Sequence, residues 1–76
     1  MNNTRRKEIN KVLEELYNLQ NRVEELLDEE QEYLDNIPEN LQGSERYEKA
    51  EECVDYLQTA YENFDEIISS LESAIE

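Results

Sequence analysis

The chain contains 76 residues, of which 21 are acidic and seven are basic, so its formal net charge at pH 7 is −14. Such a charge repels nucleic acid and anionic membranes, and it favours proteins with basic surfaces as partners. We therefore expect a protein partner with a basic surface, and neither direct nucleic-acid binding nor membrane binding.

A domain of this size gains little net stability from its core, and small scaffolds usually add a disulfide, a metal or a partner. The single cysteine excludes an internal disulfide, and the absence of histidine excludes the commonest imidazole metal sites. Association with a partner is the remaining way to add stability.

No apolar run approaches the roughly 18 residues needed to cross a bilayer, and residues 1–11 lack the apolar core of a signal peptide. These features predict a soluble cytoplasmic protein.

The first predicted element is a helix over residues 4–35, with Asn3 or Thr4 as its N-cap and an end just before Pro38. Its apolar residues follow the heptad pattern of a helix that packs along one seam. The predicted seam contains Ile9, Val12, Leu16, Leu19, Val23, Leu26, Glu30, Tyr33 and Ile37. Beside it runs a further apolar row of Leu13, Leu27 and Leu34.

Residues 36–44 are predicted to form the turn, since they hold the only proline and the only glycine of the chain, Pro38 and Gly43. Gly43 is expected to give the backbone the freedom to reverse direction, and Ser44 is expected to cap the next helix. Residues 38–41 are expected to form a single helical turn that the proline opens.

The second predicted helix covers residues 45–75 and repeats the heptad pattern without interruption. Its seam contains Tyr47, Ala50, Val54, Leu57, Tyr61, Phe64, Ile68, Leu71 and Ile75. If the turn is centred on Asn40, facing positions have numbers that add to about 80, which pairs every layer of one seam with a layer of the other. The sequence therefore predicts an all-α fold in which residues 1–76 form one antiparallel two-helix hairpin that resembles a coiled coil.

Each predicted helix has a third apolar row, and a two-helix hairpin cannot bury both of these rows. Stripes of about three positions in seven are typical of bundles with more than two helices, so we expect a homodimer that forms a four-helix bundle. The candidate oligomer interface consists of Leu13, Leu27, Leu34, Cys53, Ala60, Ile67 and Ala74. The alternative is that these residues lie half exposed at the edges of the seam.

The charges are unevenly distributed along the chain. Residues 24–55 contain thirteen acidic and two basic residues, which gives this segment a net charge of −11. In the predicted hairpin these residues surround the turn, and we call this segment the acidic pole. The first helix is thereby basic at its start and acidic at its end, opposite to what the helix dipole favours. Such an uncompensated arrangement suggests a functional surface, while a solvated face kept for solubility is the alternative. The candidate partner-binding residues are Glu25, Asp28, Glu29, Glu32, Asp35, Glu39, Asn40, Leu41, Gln42, Glu45, Glu48 and Glu52.

Glu30 is the one acidic residue at a predicted seam position. We expect it to act as a specificity device, bonded to Arg46 or to the hydroxyl of Tyr33 or Tyr47. Cys53 is expected to have a packing role. Because the chain has no Glu-x-x-His pairing, no EF-hand loop and no glycine-rich phosphate loop, we expect no catalytic site, no metal site and no cofactor, and hence no enzyme.

The turn carries the run Asn36-Ile37-Pro38-Glu39-Asn40-Leu41-Gln42-Gly43-Ser44, followed by Arg46-Tyr47-Glu48 and Ala50-Glu51. This run resembles a turn signature, N-x-P-E-N-L-Q-x-S, of short uncharacterised acidic proteins from bacteriophages, prophages and other mobile elements of Gram-positive bacteria. The likeness covers the turn and the second helix. It implies a genomic setting and the cytoplasm of a bacterial host cell, and it carries over no activity.

Two functions are consistent with these features. The first is a phage or mobile-element interaction module that binds a host protein through the acidic pole and inhibits it, either as a nucleic-acid mimic or as an anti-defence protein. The second is a structural or assembly module that acts through homo-oligomerisation, with the charge maintaining solubility. Salt dependence separates the two, since contacts steered by charge are screened over about 8 to 10 Å at roughly 0.1 to 0.15 M salt.

Overall fold

A computed structural model describes all 76 residues of the chain. Its two helices are α1 (Asn3–Asp35) and α2 (Glu45–Ala74), and a short 3₁₀ turn (Glu39–Leu41) lies between them. The helices pack against each other as a hairpin with overall dimensions of 60 × 15 × 14 Å. No strand is present, which confirms the predicted all-α hairpin. Neither helix contains a segment long and apolar enough to cross a membrane.

Both helices begin at a side-chain cap. The Asn2 side chain accepts a hydrogen bond of 2.8 Å from the backbone N–H of Arg5, so α1 begins one residue earlier than predicted. The Ser44 hydroxyl accepts a hydrogen bond of 3.3 Å from the Tyr47 N–H, which confirms its predicted role. Each of these bonds satisfies an N–H group that has no partner within the helix, and each contributes about 1 kcal/mol to stability.

Backbone hydrogen bonds hold the turn. The Leu41 N–H donates to the Pro38 carbonyl at 2.8 Å, within the single helical turn that the sequence predicted there. Gly43 has no positive φ, and nothing lies within 4 Å of the place where a Cβ would stand. The expectation that the reversal depends on the freedom of glycine is therefore wrong, because this backbone conformation suits other residues as well.

The seam of α2 is confirmed at every predicted position. Ala50 and Ile68 are buried, and the other seven seam residues are partly buried. At the turn end, Ala50 packs with Leu34 and Ile37 into a small buried cluster. Since Ile37 lies beyond the last residue of α1, the connecting segment itself contributes to the core.

The seam of α1 differs from the prediction at every second position. The predicted seam residues that the structure buries or partly buries are Ile9, Leu16, Val23, Glu30 and Ile37. The seam positions between them are occupied by three leucines that were predicted to lie beside the seam and by a glutamine that was not assigned to it. These residues are Leu13, Gln20, Leu27 and Leu34. The row predicted in their place is 41–52% exposed and consists of Val12, Leu19, Leu26 and Tyr33. This part of the prediction is wrong by one residue, so α1 is turned about its own axis relative to the predicted hairpin.

Both rows fit the sequence because each lies at heptad spacing from Ile9 and each is mostly apolar. The row that the structure buries contains the polar side chain of Gln20, and the predicted row does not. In the structure the Gln20 amide donates a 2.7 Å hydrogen bond to Asp65 Oδ1, so its polar group has a partner on the opposite helix. A satisfied amide costs little at a half-buried position, which makes this row acceptable as a seam.

The register of the hairpin also differs from the prediction. Facing positions were expected to have numbers that add to about 80, whereas the hydrogen-bonded pair Gln20 and Asp65 adds to 85. The packed pair Leu34 and Ala50 adds to 84. α2 is therefore displaced along α1 by about one helical turn. The reason is the change of row in α1: with Leu13 and not Val12 in the seam, Ile9 takes the other seam position of the heptad, and its layer meets the next layer of α2.

Candidate functional site

The seam of the hairpin has two flanks, and one of them is polar. On this flank the Tyr17 hydroxyl donates a 3.1 Å hydrogen bond to Glu72 Oε2, from α1 to α2. Both residues follow directly after a seam residue in their helices. Residues at seven-residue spacing from Tyr17 and from Glu72 lie on the same flank. Together with these two they form what we call the polar flank: Asn10, Glu24, Gln31, Glu51, Gln58 and Asp65. The polar flank is thus lined by side chains that water or a neighbouring polar group can satisfy.

Acidic residues of the polar flank act on two tyrosines. The pKa of Tyr17 is raised because its hydroxyl donates to Glu72, with further contributions from burial and from the negative charge of Glu72. The pKa of Tyr61 is raised mainly by the negative charge of Glu24, then by burial and by the charge of Asp65. Both phenols are therefore held in their neutral form to higher pH than an isolated tyrosine.

The other flank is apolar. Its residues directly precede every second seam residue, at seven-residue spacing, and an antiparallel arrangement places these positions of both helices on the same side. We call the following set the apolar flank: Val12, Leu19, Leu26 and Tyr33 of α1, with Cys53, Ala60, Ile67 and Ala74 of α2. Tyr33 contacts Arg46, which occupies the next equivalent position of α2, and this contact shows directly that the two rows share one side.

Four large aliphatic side chains of the apolar flank, Val12, Leu19, Leu26 and Ile67, are 45–52% exposed. Elsewhere on the hairpin the large exposed hydrophobic side chains are scattered singly and consist of Met1, Tyr17, Leu41 and Tyr56. Single exposed apolar residues are normal on protein surfaces, whereas a contiguous row marks an interaction surface. The apolar flank is therefore one candidate site.

The predicted oligomer interface needs correction in α1. Leu13 and Leu34 are buried in the seam and Leu27 is partly buried there, so these three leucines are occupied within the hairpin. The predicted interface row of α2 keeps its place beside the seam. In that row Cys53 and Ala60 are partly buried, whereas Ile67 and Ala74 are exposed. The sequence contained the signal for the correct α1 row, since both rows were visible, but burial was needed to decide between them.

The acidic pole is the second candidate site. All of the candidate partner-binding residues in it are exposed, including the three consecutive turn residues Asn40, Leu41 and Gln42. One ion pair is present, between Lys49 Nζ and Glu45 Oε1 at 3.2 Å, and both side chains are well exposed. The negative charge of the pole is thus almost entirely free to attract a basic surface.

The side chains of Asn40 and Gln42 make no hydrogen bond to the turn backbone. The turn is closed by backbone bonds and by the Ser44 hydroxyl, which donates to the Leu41 carbonyl at 2.5 Å. These two polar side chains are therefore available to a partner without loss of any bond that holds the turn.

A shallow pocket of about 600 Å³ lies where the acidic pole meets the apolar flank. It is lined by Glu30, Tyr33, Glu45, Arg46, Lys49 and Ala50. Glu30 was expected to bond to Arg46 or to a tyrosine hydroxyl, and it makes none of these bonds, because Arg46 donates to the Tyr33 hydroxyl instead. No three metal-ligating side chains come together around one point in the hairpin.

The geometry thus offers two protein-binding surfaces, the acidic pole and the apolar flank. No family model matches this chain, and comparisons with curated proteins and with solved structures likewise find no match.

Proposed function

We propose that this chain is a small acidic protein-interaction module that binds the basic surface of a host protein through the acidic pole. The observation that carries the proposal is the exposure of twelve of the thirteen acidic residues of 24–55, a segment that holds only two basic residues. A charge density of this kind steers oppositely charged partners, and it increases the association rate and the specificity of binding more than the affinity.

The sharper form of the proposal is mimicry of nucleic acid. The acidic pole extends over roughly 20 Å of the hairpin, given a rise of about 1.5 Å per helical residue. A net charge of −11 over that length is about one charge per 2 Å. Double-stranded DNA carries one charge per about 1.7 Å of its axis, so a groove built for phosphates meets a similar charge density here. In a phage or mobile-element setting, such a module inhibits a host nucleic-acid-binding or defence protein.

The test is capture of host proteins on the immobilised chain, followed by release with duplex DNA and by release with salt. The pole variant Glu29→Gln/Glu32→Gln/Glu48→Gln is compared with Glu14→Gln/Glu15→Gln/Glu62→Gln, which removes the same charge far from the turn. We expect capture to be lost in the pole variant, retained in the control, and reversed by DNA. Capture that is equal in both variants, or that survives about 1 M NaCl, is incompatible with binding through the pole.

A second candidate function is assembly through homo-oligomerisation, and the half-exposed row Val12, Leu19 and Leu26 favours it. In that case the charge mainly maintains solubility. The two functions use different surfaces of the hairpin, so a single chain can perform both.

A further inference from the structure

We propose that a second copy of this chain covers the apolar flank in the antiparallel orientation, so that two hairpins form a four-helix bundle with their turns at opposite ends. This inference rests on the second candidate function and specifies its partner and geometry. It starts from the observation that the apolar flank is the one side of the hairpin on which several large aliphatic side chains are exposed, with Val12, Leu19 and Leu26 at seven-residue spacing along α1.

The two rows of the apolar flank are centred at the same level of the hairpin. The α1 row has its midpoint between Leu19 and Leu26, and the α2 row has its midpoint between Ala60 and Ile67. The hydrogen bond from Gln20 to Asp65 lies close to that level. A two-fold axis that passes through this level, perpendicular to the helices and in the plane of the interface, therefore places α1 of one copy against α1 of the other and α2 against α2. Leu19 then faces Leu26 of the second copy, and Ala60 faces its Ile67, as a closed two-fold interface requires.

Charge selects the antiparallel orientation. Residues 1–12 carry four basic residues and one acidic residue, and the four acidic residues of 65–76 lie at the same end of the hairpin, so this end is nearly neutral, whereas the acidic pole carries a net charge of −11. Antiparallel packing brings the nearly neutral end of each copy beside the acidic pole of the other. Parallel packing brings the two acidic poles together, which costs energy through like-charge repulsion.

The size of the face suits a stable dimer. A face of 60 × 15 Å has an area of about 900 Å². A stable interface of standard size buries roughly 800 Å² on each partner, so one side of this hairpin is large enough to supply it. Helical bundles also use apolar stripes of about three positions in seven, which the seam and the apolar flank together provide.

The first experiment is the molar mass of the full chain in solution over roughly 1 to 100 µM, by sedimentation equilibrium. We expect the mass of two 9.1 kDa chains for the wild type and of one chain for Leu26→Glu. The matched control is Asn18→Glu, which adds a charge on the exposed outer side of α1, midway between the seam residues Leu16 and Gln20, and is expected to leave the dimer unchanged. A second variant, Leu19→Gln, introduces no charge and is expected to weaken dimerisation about tenfold or more. A monomeric wild type, a larger oligomer, or a dimer that both flank variants leave intact overturns the proposal.

The second experiment measures orientation without altering the large side chains of the apolar flank. Spin labels on Asn40→Cys in a Cys53→Ala background report the distance between the two turns, and alanine already occupies two other positions of the Cys53 row. We expect a distance near the 60 Å length of the hairpin. A distance below about 30 Å, twice the 14 Å thickness of one hairpin, indicates parallel packing and overturns the proposed orientation while homo-oligomerisation stands. A monomer overturns both, and neither result affects binding through the acidic pole.

Discussion

The hydroxyl of Tyr33 accepts a hydrogen bond of 2.5 Å from the Nε of Arg46, and the Arg46 guanidinium carbon lies 5.2 Å from the centre of the Tyr33 ring. The two side chains come from different helices and meet at the end of the apolar flank nearest the turn. Arg46 is also one of two basic residues in the acidic pole. The contact between Tyr33 and Arg46 therefore joins the two helices at the place where the acidic pole and the apolar flank meet.

The contact between Tyr33 and Arg46 predicts that Arg46→Met destabilises the hairpin. The variant loses a hydrogen bond to a charged donor and a cation–π contact, and we expect the free energy of unfolding to fall by about 1 kcal/mol. Lys49→Met is the matched control, since it removes the same charge but only an exposed ion pair, worth about 0.3 kcal/mol. Urea denaturation measures both. Equal losses would show that net charge, and not the contact, determines the effect.

The turn geometry predicts that Gly43→Ala stabilises the hairpin. Gly43 has no positive φ and no neighbour where a Cβ would stand, so alanine fits the folded state and restricts the unfolded chain. We expect a gain of about 0.4 to 1 kcal/mol in the free energy of unfolding. Thermal denaturation followed by circular dichroism tests this. A loss of stability would show that the chain adopts a left-handed conformation at this glycine.

The corrected seam predicts different costs for truncating a leucine in each of the two α1 rows. Leu13 is buried between the helices and Leu19 is about half exposed. In the Leu26→Glu background, in which we expect no dimer, we expect Leu13→Ala to cost about 2 kcal/mol or more and Leu19→Ala less than about 1 kcal/mol. Urea denaturation of the two variants provides the comparison. The reverse order would restore the seam that was first predicted from the sequence.

The tyrosines of the polar flank predict a loss of stability at alkaline pH. The folded state raises the pKa of Tyr17 and Tyr61 above the ordinary value of 10.0. A raised pKa means that the stabilising contribution is complete below pH 10 and is lost as the pH rises through the folded-state pKa. We expect Tyr17→Phe to have a flatter stability profile than the wild type above pH 10. Tyr56→Phe, which alters an exposed tyrosine outside the seam, is the control, and identical profiles for the two variants would argue against the Glu72 contact.

Self-repulsion in the acidic pole predicts that salt stabilises the hairpin. Raising NaCl from about 0.1 to 1 M shortens the Debye length from about 10 to about 3 Å, which screens the carboxylates from each other. The Leu26→Glu monomer is therefore expected to melt at a higher temperature in high salt. Adding Glu29→Gln and Glu48→Gln is expected to reduce this salt dependence more than Glu14→Gln and Glu62→Gln do. A melting temperature that does not change with salt would show that repulsion between the carboxylates of the acidic pole does not destabilise the hairpin.

Much of the fold was predictable from the sequence because helical periodicity and the single proline leave few choices. The α2 seam, the Ser44 cap and the 3₁₀ turn follow from local patterns that involve only neighbouring residues. The α1 seam did not follow, since Leu19 and Gln20 are neighbours and either one completes a heptad. The decision depends on a partner 45 residues away, Asp65, which accepts the hydrogen bond of Gln20.

The same ambiguity explains what the sequence revealed of the candidate sites. The acidic pole depends only on the count of charges along the chain and on their exposure, and both are local properties. The apolar flank depends on which side of α1 meets α2. Once Leu13 and Leu27 are placed in the seam, the second row that contains Leu19 and Leu26 is necessarily outside it. The presence of an apolar row outside the seam was thus predictable, but its α1 residues were not.

The central structural claim is that two leucine rows of α1 have different roles, one inside the hairpin and one between two copies of it. Attenuation of leucine methyl NMR signals by a soluble paramagnetic agent, measured over a dilution series, tests this most directly. We expect Leu13, Leu27 and Leu34 to stay protected at every concentration. Leu19 and Leu26 are expected to be protected only at high concentration and to become accessible as the dimer dissociates. Accessibility of all five leucines that is independent of concentration, or earlier exposure of the Leu13 row, would contradict the claim.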